Sequence, residues 1–214
     1  MDEDISIINT NTRNERIKNF LIKNKNKFIL ISLAIVVILI CAYSFDKYKT
    51  NQKKEISNKF NLTTLAYSKD SINSTIDKLL EIINEKDPTY SPLSLYFIID
   101  NQLISDQSEI NSLFNILINK TSLDEEIKNL IIYKKALFNA DQAAENELLD
   151  ILKPLINSKS VWKSHALYLL AEYFFSKNQK KKAIEFFNQI IILETANPEI
   201  IQLARKRVNR DLSE

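Results

Sequence analysis

Glycine is absent from all 214 residues of this chain, where ordinary usage near 7% predicts roughly fifteen. Its absence excludes the phosphate-cradling loops that need a residue without Cβ, both the P-loop and the dinucleotide fingerprint. It also removes the usual supplier of positive φ at turns and helix C-termini, and leaves that role to asparagine, the next most tolerant residue. Cysteine occurs once, at Cys41, so neither a disulfide framework nor a cysteine metal cluster can be assembled. Histidine also occurs once, at His165, and there is no Gly-bearing elbow for an activated serine. A metal pair of His165 with Glu172 lacks a third ligand. The expectation is a protein that is not an enzyme and carries no cofactor and no metal.

Charge of one sign is missing too. The formal net charge is +2, and the leader 1–27, with six basic and four acidic residues, accounts for all of it. The remainder is balanced, without the basic stripe that phosphate neutralisation demands, so a nucleic-acid partner is not expected.

What the chain does have is an apolar run. Phe28 to Phe45 are eighteen consecutive residues without a charge, between Lys23, Lys25, Lys27 and Asp46, Lys47, Lys49. As a helix they rise about 27 Å, close to the roughly 30 Å of a bilayer's hydrocarbon core. Three readings compete: a membrane anchor, a cleaved signal peptide with "AYS" at Ala42 to Ser44, and a fully buried core helix. The charged region before the run is longer than a signal peptide's, and Ile40 before Cys41 is not the small residue of a lipoprotein site. The preferred reading is an uncleaved signal anchor at 28–45. Basic residues flank both sides similarly, so orientation rests on the tendency of short leaders to stay inside. The leader is placed in the cytoplasm, and 46–214 in the periplasm of a Gram-negative inner membrane.

Beyond the run, apolar residues recur with helical period and no strand alternation is sustained. A helix over Lys53 to Tyr67 is expected to continue from the span. Asp70 or Ser71 then caps "SINSTIDKLLEIINE", which Pro88 and Pro92 of "KDPTYSP" break. "LSLYFIIDNQLI" and "SEINSLFNILIN" follow, and a capping box Ser122-x-x-Glu125 opens "LDEEIKNLIIYKKALFNA". Later helices fall near 143–157, 161–177, 179–194 and 198–212.

Helices in series with short links suggest stacked hairpins. In "HALYLLAEYFFSKNQKKKAIEFFNQI", Ala171 is followed twelve residues later by Ala183 and four after that by Phe187, with Phe174 between. The small residues let two helices approach while Phe174 and Phe187 fill the groove beside them. This is the spacing of a tetratricopeptide hairpin, clearest over 161–194. Looking back 35 residues, "NLIIYKKALFNA" matches "SHALYLLAEYFF", with Tyr133 against Tyr168 and Ala136 against Ala171. The expected fold class is all-α, a single transmembrane helix followed by a tetratricopeptide-like helical-hairpin solenoid.

A short leader, one signal anchor and a domain of this kind resemble the ancillary SecYEG translocon subunit family of proteobacterial inner membranes. The carrying residues are "LLDILKPLINSKSVWKSHALYLLAEYFFSKNQKKKAIEFFNQIIILETANPEIIQLARKRV": "L-x-P-L", Trp162, the hairpin, and a last helix from Pro198 containing Arg207. The resemblance implies a non-enzymatic membrane protein associated with the translocon, with periplasmic chaperones or with nascent secreted chains. The competing functions are an envelope-assembly repeat protein serving outer-membrane or cell-wall machinery, and a hydrolase on a helical repeat.

His165, Tyr168, Glu172 and Phe175 fall within roughly 80° of one another around their helix, opposite Leu167, Leu170 and Phe174. With Tyr133 they form the candidate partner groove, weighed against an ordinary half-exposed helix face. Trp162 is expected as a buried plug between hairpins, and "RKRVNR" at Arg205 to Arg210 as a solvated face.

Overall fold

The computed structural model describes residues 14–211. The first part of the expected leader, and residue 212 at the expected end of the last helix, lie outside the described residues. The chain divides into two compact units, 1–55 and 56–214, a boundary that falls well beyond the expected start of the outer domain at 46.

In the first unit the backbone is helical over 14–23, turns at Asn24, and enters α1 (Lys25–Leu65). At the turn, Asn24 donates through both its backbone N–H and its Nδ2 to the Phe20 carbonyl, at 3.0 and 2.9 Å. The apolar run Phe28 to Phe45 lies wholly within α1, with its side chains exposed. Among the described residues, α1 is the one helix long and apolar enough to cross a membrane. The helix continues unbroken to Leu65, as expected for a span that runs on into the next helix.

The second unit is all-helical, and no strand occurs among the described residues. After the end of α1 and a 3-10 turn at Lys69–Ser71 come α2 (Ile72–Asn84), α3 (Tyr90–Asp100), α4 (Gln107–Lys120) and α5 (Glu125–Asn139). Then follow α6 (Glu145–Ile156), α7 (Lys163–Ser176), α8 (Lys180–Ile191) and α9 (Pro198–Asp211). Apolar stripes on these helices build two cores. The first gathers Leu79, Ile82, Leu95, Ile98, Phe114 and Leu117; the second gathers Leu148, Leu152, Leu170, Phe174, Phe187 and Ile190. They meet on α5, where Ile131 belongs to the first and Ile132 to the second. The four residues expected to pack a hairpin, Ala171, Phe174, Ala183 and Phe187, are buried in the second core.

Two pairs of helices repeat at a fixed interval. α8 begins and ends 35 residues after α6, and α9 begins and ends 35 residues after α7. Side-chain hydrogen bonds reach across successive helices at similar separations: Ser160 donates to Glu126 at 2.7 Å, 34 residues apart, and the Asn197 N–H donates to Ser164 at 3.3 Å, 33 apart.

Three details depart from the sequence expectations. Pro92 does not break a helix but lies inside the first turn of α3, where its missing N–H would have had no intrahelical partner in any case. The capping box at Ser122 is not formed: Asp124 is the N-cap and Glu125 the first helical residue, too early to reach back as a box requires. Asparagine also does not stand alone in for glycine. Positive φ occurs at Asn178 (59°) but equally at Lys86 (57°) and Gln102 (51°). At Gln102 and Asn178 the bonding is that of a Schellman motif, with Leu103 donating to Ile98 and Gln102 to Ile99, and Gln179 to Phe174 and Asn178 to Phe175. Those bonds satisfy terminal carbonyls and hold a side chain where a glycine would ordinarily sit.

Candidate partner-binding face

The expected groove residues all stand on one side of α5 and α7, half-buried, and they separate into two groups. In the first, Tyr133 of α5 stacks on Trp162 with ring centres 5.8 Å apart and meets His165 edge-on at 5.9 Å. Trp162 and His165 approach to 5.1 Å. Trp162 precedes α7 and stands between α5 and α7 against the second core, but it is half-buried rather than the buried plug expected. Burial pushes the Tyr133 hydroxyl above its ordinary pKa. The His165 Nδ1 is enclosed without a hydrogen-bond partner.

In the second group, Tyr168, Glu172 and Phe175 are met by Arg207 of α9. The Arg207 Nε donates to one Glu172 carboxylate oxygen at 2.6 Å and its Nη2 to the other, and the guanidinium lies 4.7 Å from the centre of the Phe175 ring. A fork-to-fork pair of this kind is stronger than a single surface contact, and the ring below adds cation–π attraction. Tyr168 rests edge-on against Phe187 at 5.5 Å. Its hydroxyl is raised above the ordinary pKa by burial first and by the Glu172 carboxylate second, with Arg207 opposing. Between α7 and α9 a cavity of about 420 Å³ remains, lined by Tyr168, Glu172, Leu203, Lys206, Arg207 and Arg210.

Arg207 is therefore not part of a solvated face. It is the residue that the charge pattern concealed, because the run "RKRVNR" reads as surface when taken alone. The signal that finds it is the repeat: Arg207 stands 35 residues after Glu172, the interval that separates α7 from α9.

Chemically the face offers aromatic edges, a tethered ion pair and a cationic rim. Among the described residues no three His, Cys, Asp or Glu side chains converge where a metal ion could sit. No family model, no curated protein and no solved structure matches the chain.

Proposed function

We propose that this chain is a membrane-anchored interaction scaffold of the kind its sequence resembles. In this reading α1 is a signal anchor in the inner membrane, residues 46–214 are a periplasmic tetratricopeptide-like domain, and the domain holds partner chains beside the SecYEG translocon. The observation that carries the reading is the 35-residue recurrence of α6 and α7 as α8 and α9. Stacked hairpins present successive first helices along one face, and that face here carries Tyr133, His165 and Tyr168. The exposed apolar run of α1 supports the anchor. Anchoring raises the effective concentration of the domain near membrane partners, so weak contacts suffice and no catalytic step is required.

The test is photocrosslinking in intact cells, with a photoreactive residue at Val37 in the span and another at Tyr168 on the face. Capture of translocon subunits at Val37, and of chaperones or emerging chains at Tyr168, is the expected outcome. Capture of cytoplasmic proteins alone at Tyr168 would invert the topology and sink the assignment.

A further inference from the structure

A further recess lies away from the face just described. It lies among α4, α5 and α6, measures about 840 Å³, and has five side-chain amides in its lining: Gln107, Asn111, Asn139, Gln142 and Asn146. At its base Asn139, 1% exposed, has every amide position in use. Its oxygen accepts from Asn111 at 2.8 Å and from Gln107 at 3.0 Å, and its nitrogen donates to Asn111 at 2.8 Å and to the Lys135 carbonyl at 2.7 Å. Asn139 thus fixes Asn111 and Gln107 in place, while each of those amides keeps further donor and acceptor capacity beyond these bonds.

Two smaller recesses share lining residues with the first in series. One of about 300 Å³ shares Gln107 and Gln142 with it and adds Ile99, Ile104, Ile110 and Phe138. The next, of about 200 Å³, shares Ile99 and Phe138 and reaches Tyr96, Phe114 and Leu137. Leu137 is 52% exposed there, and the Tyr96 hydroxyl is buried with no partner.

We propose that these neighbouring recesses together bind an extended polypeptide segment, its backbone read by the amides and its apolar side chains held in the two smaller recesses. A side-chain amide offers a donor and an acceptor together, the same pair that each peptide unit presents. An extended chain sends alternate side chains to opposite sides, so one set meets the recesses while the other faces water. The amide recess has no aromatic ring on which a sugar could stack, which favours peptide over glycan. Glu147 and Asp150 on its wall outnumber Lys135, whose ammonium is already held by Asn115 at 2.9 Å, so a basic peptide is preferred to an acidic one. Neither the translocon nor the α7–α9 face enters this inference.

The experiment uses the full chain in detergent micelles and a fluorescein-labelled peptide of about ten residues, alternating leucine and serine with a central lysine, followed by fluorescence anisotropy. Binding is expected, weakened about tenfold or more when alternate backbone amides are N-methylated, because side chains are kept while N–H donors are lost. Gln142→Ala and Asn146→Ala, both at exposed positions, should each weaken binding severalfold with an unchanged circular dichroism spectrum. Asn111→Ala and Leu137→Glu should weaken it further. No binding, equal binding of the N-methylated peptide, indifference to the two exposed alanine variants, or displacement by a chitin oligosaccharide would each overturn the proposal. Because the assay contains no translocon, its failure is separate from failure of the crosslinking in cells.

Discussion

Residues 125–211 bury seven alanines, Ala136, Ala143, Ala166, Ala171, Ala183, Ala196 and Ala204, whereas residues 56–120 bury none. In the earlier half the small positions are polar instead: Thr63, Thr75, Ser91 and Ser94. An alanine at a helix crossing allows close approach without further obligation, but a hydroxyl there must find a partner or cost stability. Ser91 finds one, donating to the Ile82 carbonyl at 2.8 Å across α2 and α3, while Ser94 Oγ has none. The half with alanines is also the half in which the 35-residue interval is kept. The later half buries polar groups as well, Asn129, Asn139, Ser160 and Ser164, so the contrast lies in the alanines it adds at its crossings rather than in freedom from polar demand.

The largest effects should come from the two cores. Phe114 and Phe187 are both essentially unexposed, and cutting either to alanine should cost about 3–5 kcal/mol, read from denaturant titration of the full chain. Because the cores meet on α5, Phe187→Ala should speed amide exchange in α7–α9 more than in α2–α4, and Phe114→Ala the reverse. Equal acceleration throughout would show that the two cores act as one.

Next in size are the crossings. Ala171→Leu should destabilise by about 1–3 kcal/mol through overpacking. Ser94→Ala, which removes an unpartnered hydroxyl, should be neutral or stabilising by the same titration. A cost for Ser94→Ala like that of Ala171→Leu would erase the distinction between the halves.

The alkaline behaviour of Tyr96 sharpens the contrast. Burial pushes its hydroxyl up to about 12, so the folded state holds the proton more tightly than the unfolded chain, whose tyrosine titrates near 10. Its contribution is constant below pH 10 and lost as pH rises from 10 to 12. Tyr96→Phe should flatten that part of the pH–stability curve and leave neutral stability unchanged or improved. An unaltered slope would place the alkaline loss elsewhere.

The smallest effects belong to the left-handed helix ends. Replacing Gln102 with glycine relieves a side chain in a conformation costing about 1–2 kcal/mol, against the entropy glycine returns to the unfolded chain. A gain of up to about 1 kcal/mol is expected, and a smaller one at Asn178, because asparagine tolerates the conformation better. Thermal melts of the two variants compare the sites directly.

The sequence made the helices after Ser122 readable because their crossings keep a size pattern: small at Ala171 and Ala183, large at Phe174 and Phe187. It did not disclose α3's true start, because a proline reads as a stop until the helix's first turn is known to contain it. Arg207 was hidden because charge pattern alone does not reveal a partner on another helix. The amides of α4 and α5 were hidden for a different reason. In a chain this rich in asparagine, Asn111 and Asn139 look like composition, and only three-dimensional proximity makes them a pair.

Trp162 is the only tryptophan in the chain. Its indole is stacked on Tyr133 at the seam between α5 and α7, so emission excited beyond the tyrosine absorption band reports from one known place. Any event that parts those two helices writes itself into a single unlabelled optical signal, and events confined to α2–α4 leave that signal dark.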